Sequence, residues 1–213
     1  MNIYKFIAAT IFTIFSPVLL HAQHIQEWTS EFAVRYGDYR DETFTIRVLV
    51  DMEPNDYANA EFVLGCRAGG ELLPAMIFLH GERELQSFYN ELKAIRNKYS
   101  EWLSVAKANG VRNMVKDIPI QISSRELHYY NGQMTELKSV NTPLKALFRA
   151  EFSSLSLLPT NTIRIGFNSF EPEAIPIFHV RSVADLDKIL NAVNIVKIKA
   201  KINAKQQKNN LFN

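Results

Sequence analysis

The sequence predicts an α+β protein of mostly antiparallel β-sheet segments with two principal amphipathic helices. Three observations carry that prediction. Short stretches alternating between apolar and polar residues recur in both halves of the chain, the period-two mark of half-buried strands. Between about residues 82 and 108 the apolar residues recur at spacings of three and four, which is one stripe of a helix. Turn-forming pairs, Gly69-Gly70 and Asn131-Gly132, stand between neighbouring strand segments, as hairpins require.

The chain opens with Lys5 followed by an apolar run from Phe6 to Leu20, and Leu20-His21-Ala22 stands before Gln23. That is the pattern of a secretory signal peptide, and a run of 15 residues is short for a membrane span. Residues 1–22 are therefore expected to be removed near Ala22-Gln23, giving an exported chain, periplasmic or secreted. The remainder reads as a β-rich half at 23–113 closed by a long helix and a β-rich half at 114–213 closed by a basic helix. One single domain over 23–213 fits equally well.

The first strands fall at 32–36 and 43–52, the latter with Phe44, Ile46, Val48 and Val50 on one face. Pro54-Asn55-Asp56 ends it, and two further strands lie at 61–66 and 75–80. The long helix spans about 82–108 with the stripe Leu85, Phe88, Leu92, Ile95, Tyr99, Trp102 and Ala106. Glu82 and Glu84 suit its positive start, and Asn109-Gly110 supplies a left-handed stop. Strands follow at 118–122, 125–130, 133–138, 144–152, 162–167 and 175–180. Ser182, with Asp185 three residues on, caps a second helix over about 182–206. Its stripe is Leu186, Ile189, Leu190, Val193 and Val196.

A weak internal repeat runs through these elements. Phe62-Val-Leu-Gly65, Met76-Ile-Phe78, His80 and the first helix parallel Ile163-Arg-Ile-Gly166, Pro176-Ile-Phe178, His179 and the second. A strand–loop–strand–helix unit cannot bury its apolar faces alone, so two copies packed together make physical sense.

The net charge of +2 conceals an asymmetry. From Lys188 to Asn213 there are six lysines and no acid; setting those and Lys5 aside leaves 17 basic residues against 22 acidic ones, about −5 for the rest. If the tail is helical, Lys197, Lys201, Lys205 and Lys208 form one row, which suits either solvent or a phosphate-rich partner. Cys66 is the single cysteine, so no disulfide within one chain supports the fold, and a small buried hydrophobe at a strand end is the expected role.

Catalytic patterns are sparse. Ser104-Val-Ala-Lys107 and Ser139-Val-Asn141 match two fragments of penicillin-binding proteins and serine β-lactamases. About one chance occurrence of each is expected at these residue frequencies, and the Lys-Thr-Gly fragment is absent. Asp51 to Asp56 lacks the central glycine and closing acid of a calcium loop, and reads as a surface turn. The sequence has no glycine-rich phosphate loop, no dinucleotide fingerprint, no Gly-x-Ser-x-Gly elbow and no His-Glu-x-x-His, so neither cofactor nor metal is expected. His80, Glu82 and Glu84 lie where a strand passes into the long helix, and His128 or His179 could complete an acid–base or metal site with them. Tyr129 and Tyr130 precede Asn131-Gly132, and one ring could stack on a sugar or a protein partner.

The reading that results is an exported, non-catalytic binding or envelope-interaction protein. Its candidate contacts are Tyr129, Tyr130, Lys197, Lys201 and Lys205, and its partner is a protein or carbohydrate, with nucleic acid disfavoured. The alternative is a small hydrolase with a site near His80, Glu82 and His179.

Overall fold

The structure is a computed structural model that describes residues 25–28, 32–36, 42–68, 73–130, 137–151, 160–167 and 175–210. The expected signal peptide and its cleavage point, both glycine turns, and the side chains of Cys66 and Tyr130 lie outside the described residues.

Within the described residues the alternating segments form strands. In order these are β1 (Ile25–Trp28), β2 (Phe32–Tyr36), β3 (Glu42–Met52), β4 (Glu61–Ala68) and β5 (Leu73–His80), then helix α1 (Gly81–Ala108). β6 (Met114–Tyr130), β7 (Leu137–Glu151), β8 (Thr160–Phe167) and β9 (Ile175–Val180) follow, then helices α2 (Val183–Ala192) and α3 (Ile195–Asn210). The described strands make one nine-stranded antiparallel sheet in the order β1-β3-β4-β5-β6-β7-β8-β9, with β2 also on β3. It passes from the first half of the chain into the second without a break, through the β5–β6 pairing. The sheet curls until β9 comes within 8 Å of β4 and β2.

One face of this sheet holds the core. Val48, Val50, Phe62, Leu64, Ile77, Leu79, Ile122, Leu127, Phe148, Ile163, Ile165 and Val180 turn the same way, because alternate residues of a strand share a face. Against them pack Leu85, Phe88, Leu92, Ile95 and Tyr99 of α1, Leu186, Ile189 and Leu190 of α2, and Ile198 and Ile202 of α3. Trp102 is only half-buried. It meets the edge of Phe148 at 5.9 Å, with the ammonium of Lys116 4.8 Å from its ring centre.

The start of α1 is set by the 57–60 loop. The N–H groups of Gly81 and Glu82 donate to the carbonyls of Ala60 and Tyr57, at 2.7 and 2.9 Å. Gly81 has φ +76°, and a Cβ there would lie 2.3 Å from the Ala58 carbonyl oxygen, so only glycine fits. The helix ends as expected, with Asn109 as its cap and Gly110 at φ +57°.

Three expectations need correction. The segments at 118–122 and 125–130 are one strand, β6, bent by irregularities at 118–121 and 122–125; Pro119, which has no N–H to give, sits in the first. Residues 137–138 and 144–151 likewise belong to one strand, β7. Tyr129 pairs with Lys138 and Tyr130 with Leu137, not with Met134 and Gln133 as a two-residue turn at Asn131-Gly132 would require. Finally, the second helical stretch is divided at Val193-Asn194. Val193 ends one helix and Asn194 caps the next, its side-chain oxygen accepting from the N–H of Lys197 at 3.2 Å, a role asparagine favours.

The internal repeat is visible in the register. Phe62 pairs with Leu79 and Ile163 with Val180, so both partners are displaced by 101 residues. Leu85, Phe88 and Leu92 map by the same displacement onto Leu186, Ile189 and Val193, all buried. β3 on β4 and β7 on β8 extend each unit by an equivalent strand, and both helices cover the same face. The matching of His80 with His179 does not hold. The displacement aligns His179 with Phe78, which faces away from the helices, and aligns Phe178 with Ile77, which faces them. Phe178 is thus offset by one residue from Phe78, which inverts its facing, whereas His179 is offset by two from His80, which leaves both on the outer face; the irregularity at Ile165/Gly166 hides the shift in the sequence.

Candidate functional site

Because Ile77, Leu79 and Leu127 face the helices, strand alternation turns Phe78, His80, Glu126 and His128 to the opposite, outer face. There the Glu126 carboxylate lies between two imidazoles. His128 Nε2 is 2.7 Å from one of its oxygens and His80 Nε2 is 3.3 Å from the other. On its far side, His80 Nδ1 is 3.8 Å from Glu61. The His128 ring rests on Phe78 with centroids 4.4 Å apart. These hydrogen bonds, that of His128 first and that of His80 next, hold the Glu126 carboxyl below its usual range. The His80 side chain is 56% exposed, so the cluster meets solvent directly.

Glu84 joins this outer cluster to a second network under α1. One of its oxygens accepts the backbone N–H of His80 at 2.7 Å, and the other lies 3.4 Å from Arg125 Nε. Arg125, 5% exposed, is turned toward the helix, where it also reaches Glu91 at 3.1 Å and Ser87 at 3.3 Å. Ser123 donates to Glu91 as well. A buried cation held by two carboxylates and a hydroxyl ties α1 to β6 and leaves little for chemistry. Beside it an open depression of about 700 Å³ lies between Ala58 and the Glu82 to Glu91 face of α1. Its polar groups bond one another, Gln86 to Asn90 at 3.0 Å and Ser87 to Glu91 at 3.2 Å.

The proposed hydrolase residues go to three neighbourhoods. His80 joins Glu126 and Glu61. Glu82 pairs with Lys199 at 2.7 Å, whose ammonium lies 4.7 Å from the Tyr57 ring centre. Burial of Tyr57 is the main reason its phenol is raised. His179 is buried on the outer face of β9 among Arg164, Arg181 and Arg149. Burial first, and then those three cations, push its imidazole down to about 3. Among the described residues, no group of three or more His, Cys, Asp or Glu is arranged to hold a metal ion.

Of the contact candidates, Tyr129 is buried against the core, which removes its ring from any partner. Lys197, Lys201 and Lys205 are exposed along α3 together with Lys208, as the helical reading of the tail requires. Glu126 and Arg125 escaped the sequence reading. A signal for Glu126 was present, since Glu126 and His128 are two apart on one strand face; nothing in the sequence pointed from Arg125 to the helix.

Comparison with protein-family models, with curated proteins and with solved structures found no match. Among the described residues, no helix is long and apolar enough to cross a membrane.

Proposed function

We propose that the mature chain is an exported, non-catalytic binding protein of the cell envelope that presents contact surfaces on a filled scaffold. The observation that carries this reading is the way ionisable side chains are engaged. Arg125 is held by Glu84 and Glu91, Arg96 by Asp187 at 2.7 Å, and Glu82 by Lys199. Between sheet and helices lie apolar side chains with almost no exposure. An enzyme needs several polar groups converging where a substrate can sit, whereas these pairs fasten one element to another. What faces outward is suited to contact: a lysine row on α3, and an aromatic and histidine surface on β5 and β6.

The test has two arms. Mass spectrometry of the protein from its native host should find an N-terminus near Gln23, and the purified mature chain should pellet saturably with isolated envelope material. It should leave chromogenic esters, phosphates and glycosides unchanged. A full-length cytoplasmic product sinks the reading. The second reading, a small hydrolase, draws on Glu126 held between two imidazoles. Turnover lost in Glu126→Gln would replace the first reading with it.

A further inference from the structure

We infer that the outer face of α3 docks the protein on an anionic lipid surface, with the row Lys197, Lys201, Lys205 and Lys208 as its contact. The inference rests on the envelope reading and names the partner of that surface. Ile195, Ile198 and Ile202 are buried, which fixes how α3 is turned about its axis. The four lysines then lie outward at spacings of four, four and three, all exposed, along roughly 16 Å of helix. Beside them runs a second outward row of small apolar residues, Val196, Ala200 and Ala204, with Val196 72% exposed. The helix is held in this orientation by the Asn194 cap and, on its other flank, by Lys199 on Glu82.

Charge supplies the complementarity. From Lys188 onward the chain carries no acid, while the rest of the mature chain carries about −5. Near a negatively charged plane the body is repelled and the α3 face attracted, so the field both binds and orients the molecule. A lipid surface fits better than nucleic acid. The row consists of lysines, compact hydrated point charges, and α3 contains neither arginine nor an aromatic residue for base stacking. Since its isoleucines are already committed to the core, α3 has only the small side chains of Val196, Ala200 and Ala204 on its outward side, which offer little apolar surface to insert. Binding is therefore electrostatic and salt-sensitive.

The experiment uses the folded mature chain and sedimentation with vesicles of phosphatidylcholine, with and without phosphatidylglycerol. Pelleting is expected with the anionic vesicles only, and should weaken as salt is raised. Replacing Lys197, Lys201, Lys205 and Lys208 by Gln should cost roughly fivefold in affinity per lysine with thermal unfolding unchanged. Truncation after Ile202, which removes two of the four, should fall between. Equal binding by the quadruple variant, equal binding to neutral vesicles, or tighter binding to duplex DNA in the same buffer would overturn the inference. If the chain pellets with envelope material yet ignores anionic vesicles, the lipid assignment falls and the binding reading stands. If it ignores both, both fall.

Discussion

His179 should make the fold acid-sensitive in a window that a single substitution removes. Its imidazole is 3% exposed, lies opposite Arg164 in the register of β8 and β9, and is pushed down to about 3 by burial and by Arg164, Arg181 and Arg149. In the unfolded chain it titrates near 6.5. The folded state therefore keeps His179 neutral while the unfolded state takes up a proton below about pH 6.5. The stabilising contribution is complete above that pH and is lost progressively as pH falls toward 3. At pH 5 the loss from this residue comes to roughly 2 kcal/mol, and near pH 3 to about 4–5 kcal/mol. Urea unfolding of wild type and His179→Gln at a series of pH values measures it. Glutamine stays neutral throughout, so the variant should lose about 2 kcal/mol less than wild type between pH 7 and 5. Carboxylates held low by partners, such as Asp187 beside Arg96, also lose stabilisation in acid, but equally in both proteins. Parallel stability curves would refute the reasoning, as would an NMR titration placing His179 near an ordinary imidazole value.

Arg125→Met should destabilise by about 2–3 kcal/mol, because Glu84 and Glu91 keep partial burial without their cation; a fully enclosed pair would lose more. A thermal midpoint equal to that of wild type would contradict this. Trp102→Ala should cost about 2 kcal/mol, less than the 3–5 typical of enclosed aromatics, since its ring is half-buried; denaturant unfolding decides between those values. Truncation after Ile202 should leave thermal stability nearly unchanged, whereas Ile202→Ala should cost about 2–4 kcal/mol. If instead the truncation abolishes cooperative unfolding, the distal turns of α3 dock more strongly than their exposure implies.

Apolar periodicity made the first helix and most strand segments legible, because burial of one face leaves a pattern that reads the same at any tertiary position. Leu85, Phe88, Leu92, Ile95 and Tyr99 were all identifiable this way. The continuity of β6 was hidden by Pro119 and Ser123-Ser124, which look like strand breaks and sit at bulges that redirect the chain within the sheet. The division at Asn194 left a cap signal that the uninterrupted apolar spacing masked. At the outer cluster, His80 and His128 could be noticed as chemistry-bearing residues. Their meeting on Glu126 depends on β5–β6 register, which no local pattern encodes. His179 parallels His80 in the sequence, although the register places it with Phe78, two residues earlier on the same outer face.

The repeat also indicates where the two halves are free to differ. Inward positions stay apolar under the displacement, since both units fill one core: Phe62 and Ile163, Leu79 and Val180, Phe88 and Ile189. Outward positions diverge in kind. Val63 corresponds to Arg164, Phe78 to His179 and His80 to Arg181, and through the preceding strands Asp51 corresponds to Arg149. The helices diverge most. α1 runs unbroken, so Ile95 and Tyr99 stay in the core; the same displacement leads to Val196 and Ala200, which face outward. The break at Val193-Asn194 turns the following helix about its axis, so that Ile198 and Ile202 enter the core where α1 presents the exposed Asn97 and Glu101. Packing alone would be served by one continuous helix in each unit. The turned helix instead carries its lysines together along an outward face, and that cationic face is what the second unit has and the first lacks.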